Sequence, residues 1–361
     1  MRILQIIDSL NAGGAEKMAV NYANIIAKKK GFSALSTTRV EGPLKAQINE
    51  DVHYFFTQKS GTFDFASLKR LKRFVKQHKI DVIHAHGTSA LYAAMFKWIY
   101  PKIKVVWHDH HGNRAKHDKK KNLTLQFAAR FFTGVVACNE ELKEWGLKNL
   151  ACKNIIYLPN FVSTDYVAPA SGTQLMGVPG KRIVQLANLK DPKNHIAMLK
   201  AFNDSQAVAG GWTLHLIGRD FEDDYSNRLK DFIKEHQLEN SVFIYGARFD
   251  TAYILRQADI GVLSSSFEGF PVTLLEYGMA NLAVATSDVG YCGNVIKNGE
   301  RGVTFHPGNH EEMVAKLDEL FRNDSLRKAY AQALNKFVSD NYADEAVVNK
   351  YLNWLEETVL K

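Results

Sequence analysis

The 361 residues read as an α/β protein made of two doubly wound domains facing a central cleft. Three observations predict this. The length suggests two domains, at roughly 150 residues each. Short β-branched runs alternate with longer stretches of helical period, which marks βαβ units and parallel sheets. The alternation stops once, past residue 157, and then resumes.

In the first half, strand-length apolar runs occupy 2–8, 32–37, 52–56, 81–85, 104–109, 134–138 and 154–157. Helical spacing fills 15–29, 64–77, 88–98, 123–132 and 140–147 between them. The pattern ends around Leu158-Pro159-Asn160-Phe161, and Val167 to Gly180 is rich in Pro, Gly, Ser and Thr, a composition of linker type. A second series follows, with strands at 182–187, 213–217, 241–245, 260–263, 283–286 and 302–304. Its helices fall at 196–205, 223–236, 250–257, 272–279, 310–322, 325–339 and 344–358. The expected organisation is a first domain over 1–165, a linker over 166–180, a second domain over 181–340, and a helix within 341–361 placed to return to the first domain. Folds of this class bind ligands at the carboxyl ends of their strands.

Composition narrows the function classes. With 46% hydrophobic and 23% charged residues, disordered, collagen-like and coiled-coil readings are out. No apolar run approaches the ~18 residues that span a bilayer, and the start lacks the regions of a signal peptide, so a cytoplasmic protein is expected. Cys138, Cys152 and Cys292 are too few and scattered for a disulfide framework or a thiolate metal site. Charge is uneven: residues 1–165 carry 26 Lys and Arg against 13 Asp and Glu, a net +13, whereas residues 166–361 net −5. Lys28-Lys29-Lys30, the Lys69, Arg70, Lys72, Arg73, Lys76 and Lys79 series, and Arg114, Lys116, Lys119, Lys120 and Lys121 make the first half a candidate for an anionic partner, with solvated surface as the bland alternative.

The most informative segment runs from Ser264 to Met279. Ser265 to Phe270 follow a strand, and Pro271 suits the first turn of a helix. The amides of Val272, Thr273 and Leu274 are then open donors at a helix N-terminus, a natural phosphate cradle. Glu276 lies three residues past Thr273 on a helix otherwise made of Val272, Leu274, Leu275 and Met279, so its carboxylate needs a partner. The hydroxyls of a diol such as a ribose would serve. Glu268 precedes the helix and can reach another part of the same ligand; two structural glutamates paired with buried donors are the plain alternative.

Glu268 and Glu276, with seven residues between them and Gly269-Phe270-Pro271 after the first, resemble the E-x7-E motif of retaining glycosyltransferases of the GT-B fold, in the large family-4 group. The resemblance covers essentially the whole chain. Gly13-Gly14-Ala15-Glu16 after the first strand, Val82-Ile83-His84-Ala85-His86-Gly87, Leu158-Pro159-Asn160, Leu216-Ile217-Gly218, Gln257-Ala258-Asp259 and Thr286-Ser287-Asp288-Val289-Gly290 stand in the expected order. It implies two Rossmann-like domains and transfer of a sugar from a nucleotide-sugar donor, with retained anomeric configuration and no required metal or other cofactor.

The same resemblance implies site residues. Glu276 would hold the nucleotide ribose and Glu268 the sugar hydroxyls. Ser265, Gly269, Phe270 and Pro271 would shape the sugar and diphosphate pocket, with the Val272 and Thr273 amides on phosphate. The family places an Arg and a Lys against the leaving diphosphate; Lys193 matches the lysine, Asn188 stands at the arginine position, and Lys190 lies in the same loop. The family's usual Glu near the end of the 287–290 loop is replaced by Asn294. Gly13 and Gly14 permit a tight strand-to-helix turn and close backbone approach to a ligand. A dinucleotide G-x-G-x-x-G fingerprint is absent, which disfavours a redox enzyme.

In the first domain the resemblance implies a histidine near the donor sugar, His110 or else His111, which would orient a sugar hydroxyl and stabilise positive character at the anomeric carbon. Asp109 is a candidate for positioning an acceptor hydroxyl. His84 and His86, with His108, His110 and His111, also admit a divalent-metal reading, and satisfied core or loop histidines are the alternative at His84 and His117. The expected function is therefore a retaining glycosyltransferase using a UDP-sugar and a glycan or polyprenyl-diphosphate-linked acceptor, docked peripherally on an anionic membrane surface and without nucleic-acid partners. A nucleotide-sugar epimerase or hydrolase of the same fold, a metal-dependent hydrolase built on the histidines, and a sugar-nucleotide sensor are the alternatives.

Overall fold

A computed structural model describes all residues except 12, 112–113, 115–121 and 163–170. His117, Lys116, Lys119, Lys120 and Lys121 lie outside the described residues, as does part of the expected linker.

The chain divides into two units, Met1–Phe161 with Asp344–Lys361, and Val162–Ala343. In the first, β1 (Ile3–Ser9), β2 (Ser33–Val40), β3 (Val52–Phe56), β4 (Val82–His86), β5 (Lys104–Asp109), β6 (Gly134–Ala137) and β7 (Ile155–Tyr157) form a parallel sheet in the order β3-β2-β1-β4-β5-β6-β7. Between them run α1 (Gly14–Lys30), α2 (Phe65–Gln77), α3 (Ala90–Ile99), α4 (Leu123–Ala128) and α5 (Glu140–Asn149). β1 and β4 are buried along most or all of their length, as strands covered on both faces must be, so that Gln5, His84 and His86 within them are buried too. Leu4, Ile6, Ile83, Val105 and Trp107 supply the sheet side of the core, met by Leu68, Leu71 and Phe96 from the helices.

The second unit repeats the plan. β8 (Arg182–Leu186), β9 (Thr213–Ile217), β10 (Val242–Gly246), β11 (Ile260–Leu263), β12 (Ala283–Ser287) and β13 (Val303–Phe305) lie parallel in the order β10-β9-β8-β11-β12-β13. The helices are α6 (His195–Asp204), α7 (Asp224–Glu235), α8 (Thr251–Leu255), α9 (Val272–Met279), α10 (Cys292–Ile296), α11 (His310–Arg322) and α12 (Asp324–Tyr342). Strand order reverses between β1 and β4 in one sheet and between β8 and β11 in the other, the switch points where such sheets open a crevice.

Side-chain caps set several helix starts: Asp64 accepts from the Ser67 amide, Asn139 from Leu142, Asp223 from Ser226, and Asn309 from Glu312. Two expected helices are shorter than their periodicity: 88–98 begins with a 3-10 turn at Gly87–Ser89, and 123–132 ends in another at Ala129–Phe131. α10 is new, because five residues are too few to show a period.

The stretch expected to be an open linker is anchored where it is described. The Thr173 amide donates to Asp250, the Leu175 amide to Gln257 and the Met176 amide to the Tyr245 hydroxyl, and Leu175 is buried in the second unit. Pro, Gly, Ser and Thr report missing regular structure here, while side chains of other elements satisfy the backbone.

After Ala343 the chain returns to the first unit as α13 (Asp344–Trp354) and a π turn, Leu355–Val359. Val348, Tyr351, Leu352, Leu355 and Val359 are buried there, and Tyr351 meets Tyr22 of α1 edge-on at 5.1 Å. No described helix is long and apolar enough to cross a membrane.

Candidate active site

In the second unit the loops after β8, β9, β11 and β12 carry the site. β8 and β11 pair over only two residues, Ile183 with Ile260 and Val184 with Gly261. Beyond that the Tyr277 hydroxyl stands between the strands, accepting from the Leu186 amide at 2.8 Å and donating to the Val262 carbonyl at 3.1 Å. Burial drives the Tyr277 phenol far above its ordinary pKa; the Leu186 amide opposes this, and the charges of Glu276 and Glu268 add to it, so both glutamates act on one spot.

The β8 loop brings Lys193 to Glu268, with Nζ 2.6 Å from Oε1, and Ser265 Oγ donates to the same oxygen at 2.6 Å. Neither member of the pair is fully withdrawn from solvent, the side chains being 26% and 12% exposed. The backbone beneath is fixed by residues that sequence reasoning missed. Gln185, fully buried in β8, donates to the Lys193 carbonyl and to Ser264 Oγ, and Ser264 Oγ donates to the Lys193 carbonyl at 3.1 Å. The Ser266 amide donates to Pro192 at 2.8 Å. A buried glutamine inside Ile183-Val184-Gln185-Leu186 was the available signal, since a buried amide needs partners.

Helix α9 occupies its expected span, with Pro271 just before its first turn. Pro271 is its N-cap in extended backbone (φ −80°, ψ 92°), and the Leu274 amide turns back to the Pro271 carbonyl at 3.1 Å. The Val272 and Thr273 amides, not three amides, are therefore left at the helix head for an anion. Thr273 and Glu276 are half-buried on a shared face, while Leu274, Leu275, Tyr277 and Gly278 are buried. Phe270 and Pro271 are both buried; Phe270 stacks on Tyr291 at 5.1 Å and meets Tyr342 at 5.5 Å, which fixes the chain next to Gly269. From the β12 side, Gly290 (φ 54°) lies so close to the Glu268 carbonyl that a Cβ would collide with it.

Asn188 does not replace an arginine's charge. Its Oδ1 accepts from the Arg219 amide at 2.9 Å, tying the loops after β8 and β9 together. Lys190 and Arg219 both face the Phe221 ring, at 5.6 and 4.7 Å from its centroid. Cys292, near Glu268, is no nucleophile: burial first, then the Glu268 charge, pushes its thiol up to about 12.

In the first unit Gly13 is the N-cap of α1, and its extended backbone (φ −170°) suits any residue. A Cβ there would meet the Glu16 carboxylate, so a larger residue would displace that side chain. Gly14 opens the helix. Asp109 is engaged within the chain: Arg114 grips both its carboxylate oxygens, at 2.7 and 3.1 Å, and the His111 amide donates to it at 3.0 Å. A buried carboxylate so engaged ties Arg114 and the His111 backbone to the end of β5, and this is the role that the structure gives it. The His111 side chain is exposed.

His110 Nε2 lies 3.0 Å from His86 Nδ1, and His86 Nε2 lies 2.9 Å from Gln5 Oε1. With the Gln5 oxygen accepting, His86 carries its proton on Nε2 and receives one from His110 Nε2 on Nδ1. The lone pair on His110 Nδ1 is thereby defined by a residue of β1. Burial pulls His110 down to about 3, so the ring is neutral and acts as a hydrogen-bonding group, not as a general acid.

Comparisons with known proteins give the family. Residues 12–166 match the model of Glycosyltransferase Family 4, and residues 177–337 match that of Glycosyl transferases group 1. The chain belongs to the GT-B glycosyltransferases. An uncharacterized glycosyltransferase of Haemophilus influenzae is 24% identical to it, over 94% of this chain and 96% of that protein. The UDP-Gal:alpha-D-GlcNAc-diphosphoundecaprenol alpha-1,3-galactosyltransferase of Escherichia coli is 23% identical, over 90% and 89% of the two chains. The crystal structure of Anabaena HepE in complex with UDP and glucose matches with a TM-score of 0.81 at 18% identity, covering 99% of each chain. The glycosyltransferase's two parallel sheets are thus the two Rossmann-like domains of the GT-B fold.

Proposed function

We propose that this glycosyltransferase takes a hexose from a UDP-sugar and passes it, with retention, to a glycan or polyprenyl-diphosphate-linked acceptor in surface polysaccharide synthesis. The observation that carries the reading is the Lys193–Glu268–Ser265 cluster beside the two open amides of α9. Charge builds on the leaving diphosphate as the glycosidic bond breaks, and a fixed ammonium with helix-head amides stabilises that charge. Glu268 then exchanges Lys193 for sugar hydroxyls, while Glu276 takes the ribose. In a front-face step the bond from the anomeric carbon to the β-phosphate oxygen breaks, the acceptor oxygen bonds to that carbon on the same face, and its proton passes to the β-phosphate. This assigns the leaving-group charge to protein groups, so turnover is expected without added divalent metal. The UDP preference and the lipid-linked acceptor draw support from the named relative and the UDP-bound structure.

The test is transfer from a panel of UDP-, GDP- and ADP-sugars, with the product anomer read by NMR. Glu268→Gln is expected to lower kcat/KM by about 10²–10³-fold with folding intact. An inverted product, or full activity in that variant, rejects the reading; rapid donor hydrolysis without acceptor points instead to a hydrolase or epimerase.

Peripheral membrane docking through the first unit is part of the same proposal. Phe63, Phe65, Trp98, Leu123 and Phe127 are exposed there, on or beside α2, α3 and α4, and Lys69, Arg73, Lys76 and Lys79 are exposed on or just past α2. Exposed aromatics beside basic residues suit an anionic interface. Arg70 and Lys72 drop out of the expected basic series, since they donate to the carbonyls of Thr57 and Ile99. Flotation with anionic vesicles at low salt, lost at high salt, is the expected result.

A further inference from the structure

Next to His110, and sharing His86 with it, lies a buried cluster whose other members the site described above does not use. His84 and His86 stand two apart on β4, so they share a face, and His86 is the register partner of His108 on β5. All three rings are fully buried, and one ring nitrogen from each lies within 4.8 Å of the others. The satisfied core histidine expected at His84 is not what the structure holds. Neither nitrogen of His84 nor of His108 has a hydrogen-bond partner, and the same is true of the buried hydroxyls of Tyr22 and Tyr351. Those two tyrosines pack on the same imidazoles: Tyr22 lies 5.1 Å from His84 and 5.8 Å from His108, and Tyr351 stacks on His84 at 4.9 Å. Buried polar atoms without partners are costly, and so many in one place point to a guest that supplies their missing bonds.

We propose that His84, His86 and His108 form a buried cation site of the first unit, taking a first-row transition ion of zinc's kind. Neutral imidazole is the ligand form, and burial holds all three rings neutral. Zn–N bonds of about 2.0–2.1 Å place ligand nitrogens of a tetrahedral site about 3.3 Å apart, so the rings, now with nitrogens within 4.8 Å of one another, close up on binding. An all-imidazole donor set suits zinc, copper, nickel or cobalt and not the oxygen-seeking magnesium, calcium or manganese. His86 gives up its bond to either Gln5 or His110 on binding, whereas His84 and His108 give up nothing. Tyr351, stacked on His84 and with a partnerless hydroxyl, is the candidate for the fourth position. With Tyr351 in that position the ion would tie β4 and β5 to α13, a structural clasp on the returning C-terminal segment.

The proposal does not depend on the donor or acceptor assigned above, and its test reads metal, not activity. The full chain, stripped with a chelator and dialysed, is loaded with Zn2+ and with Co2+. One equivalent per chain is expected, with the ligand-field bands of tetrahedral cobalt, a raised Tm, and slower amide exchange in 344–359. His84→Phe and His108→Phe keep ring volume and are expected to lose the equivalent, the bands and the Tm shift together, while replacing exposed His306 leaves all three unchanged. Should the core variants fail to fold, the cobalt spectrum of the unmutated chain decides by itself. Substoichiometric metal without those bands, or bands that persist in a folded His84→Phe/His108→Phe variant, overturns the site.

Discussion

The Glu268 carboxylate is held by Lys193 and by Ser265 through one oxygen, Oε1. Ser265→Ala removes one neutral donor and keeps the ion pair, so a loss of about tenfold in kcat/KM is expected, much less than for Glu268→Gln. Equal losses in the two variants would mean that Ser265 itself holds substrate. Tyr277→Phe is a different kind of change. It strips the partner from the buried Leu186 amide and Val262 carbonyl, at a cost of about 1–3 kcal/mol measurable by urea unfolding. Glu268 and Glu276 drew attention in the sequence as carboxylates before and within an apolar helix, and Lys193 through the family resemblance alone. Gln185, Ser264, Tyr277 and Gln5 were not legible, because a buried hydrogen-bonding role has no local spacing. The two glutamines do share a pattern: each is the buried polar residue in its unit's first apolar strand, and each bonds across the switch point, Gln5 to His86 and Gln185 to Ser264.

Elements with a long period were legible almost to the residue; short ones were not. α9 over Val272–Met279 coincides with its expected span, since an apolar run after a proline defines both its face and its start. α10 and the 3-10 turn at Pro43–Gln47 passed unseen, being one turn long. The returning C-terminal helix belongs to this scale. Lys29–Glu345 and Lys30–Glu356 tie it to α1 at the surface, where such pairs contribute little. The buried Tyr351 is the stronger anchor, and Tyr351→Ala is expected to cost about 3–5 kcal/mol in unfolding of the first unit. A loss under 1 kcal/mol would show that the helix is only draped on the surface.

At the scale of the whole chain, buried neutral histidines make stability acid-sensitive. Burial pulls His195 and His215 of the second unit from 6.5 to about 4. The unfolded chain binds protons at these groups first, so their contribution is complete above pH 6.5 and is lost as pH falls through 4, on the order of 3 kcal/mol per group. Unfolding free energies at pH 7 and pH 5 are expected to differ in this direction, and His215→Phe should flatten the slope; no pH dependence over that window would contradict the burial. The sequence by itself determined the fold class, the order of strands and helices, the uneven charge, and the charged residues at the head of α9, because periodicity, turn chemistry and charge act over short stretches of chain. Only the tertiary structure decided that Asp109 serves Arg114, that residues 171–177 are anchored, and that four histidine rings stack in one core. Those outcomes depend on which buried polar groups meet, and the partners stand far apart in the chain: 75 residues separate Lys193 from Glu268, and 81 separate Gln5 from His86. No local pattern records such a pairing, since burial makes each group need a partner but the sheet's crossovers choose which one arrives.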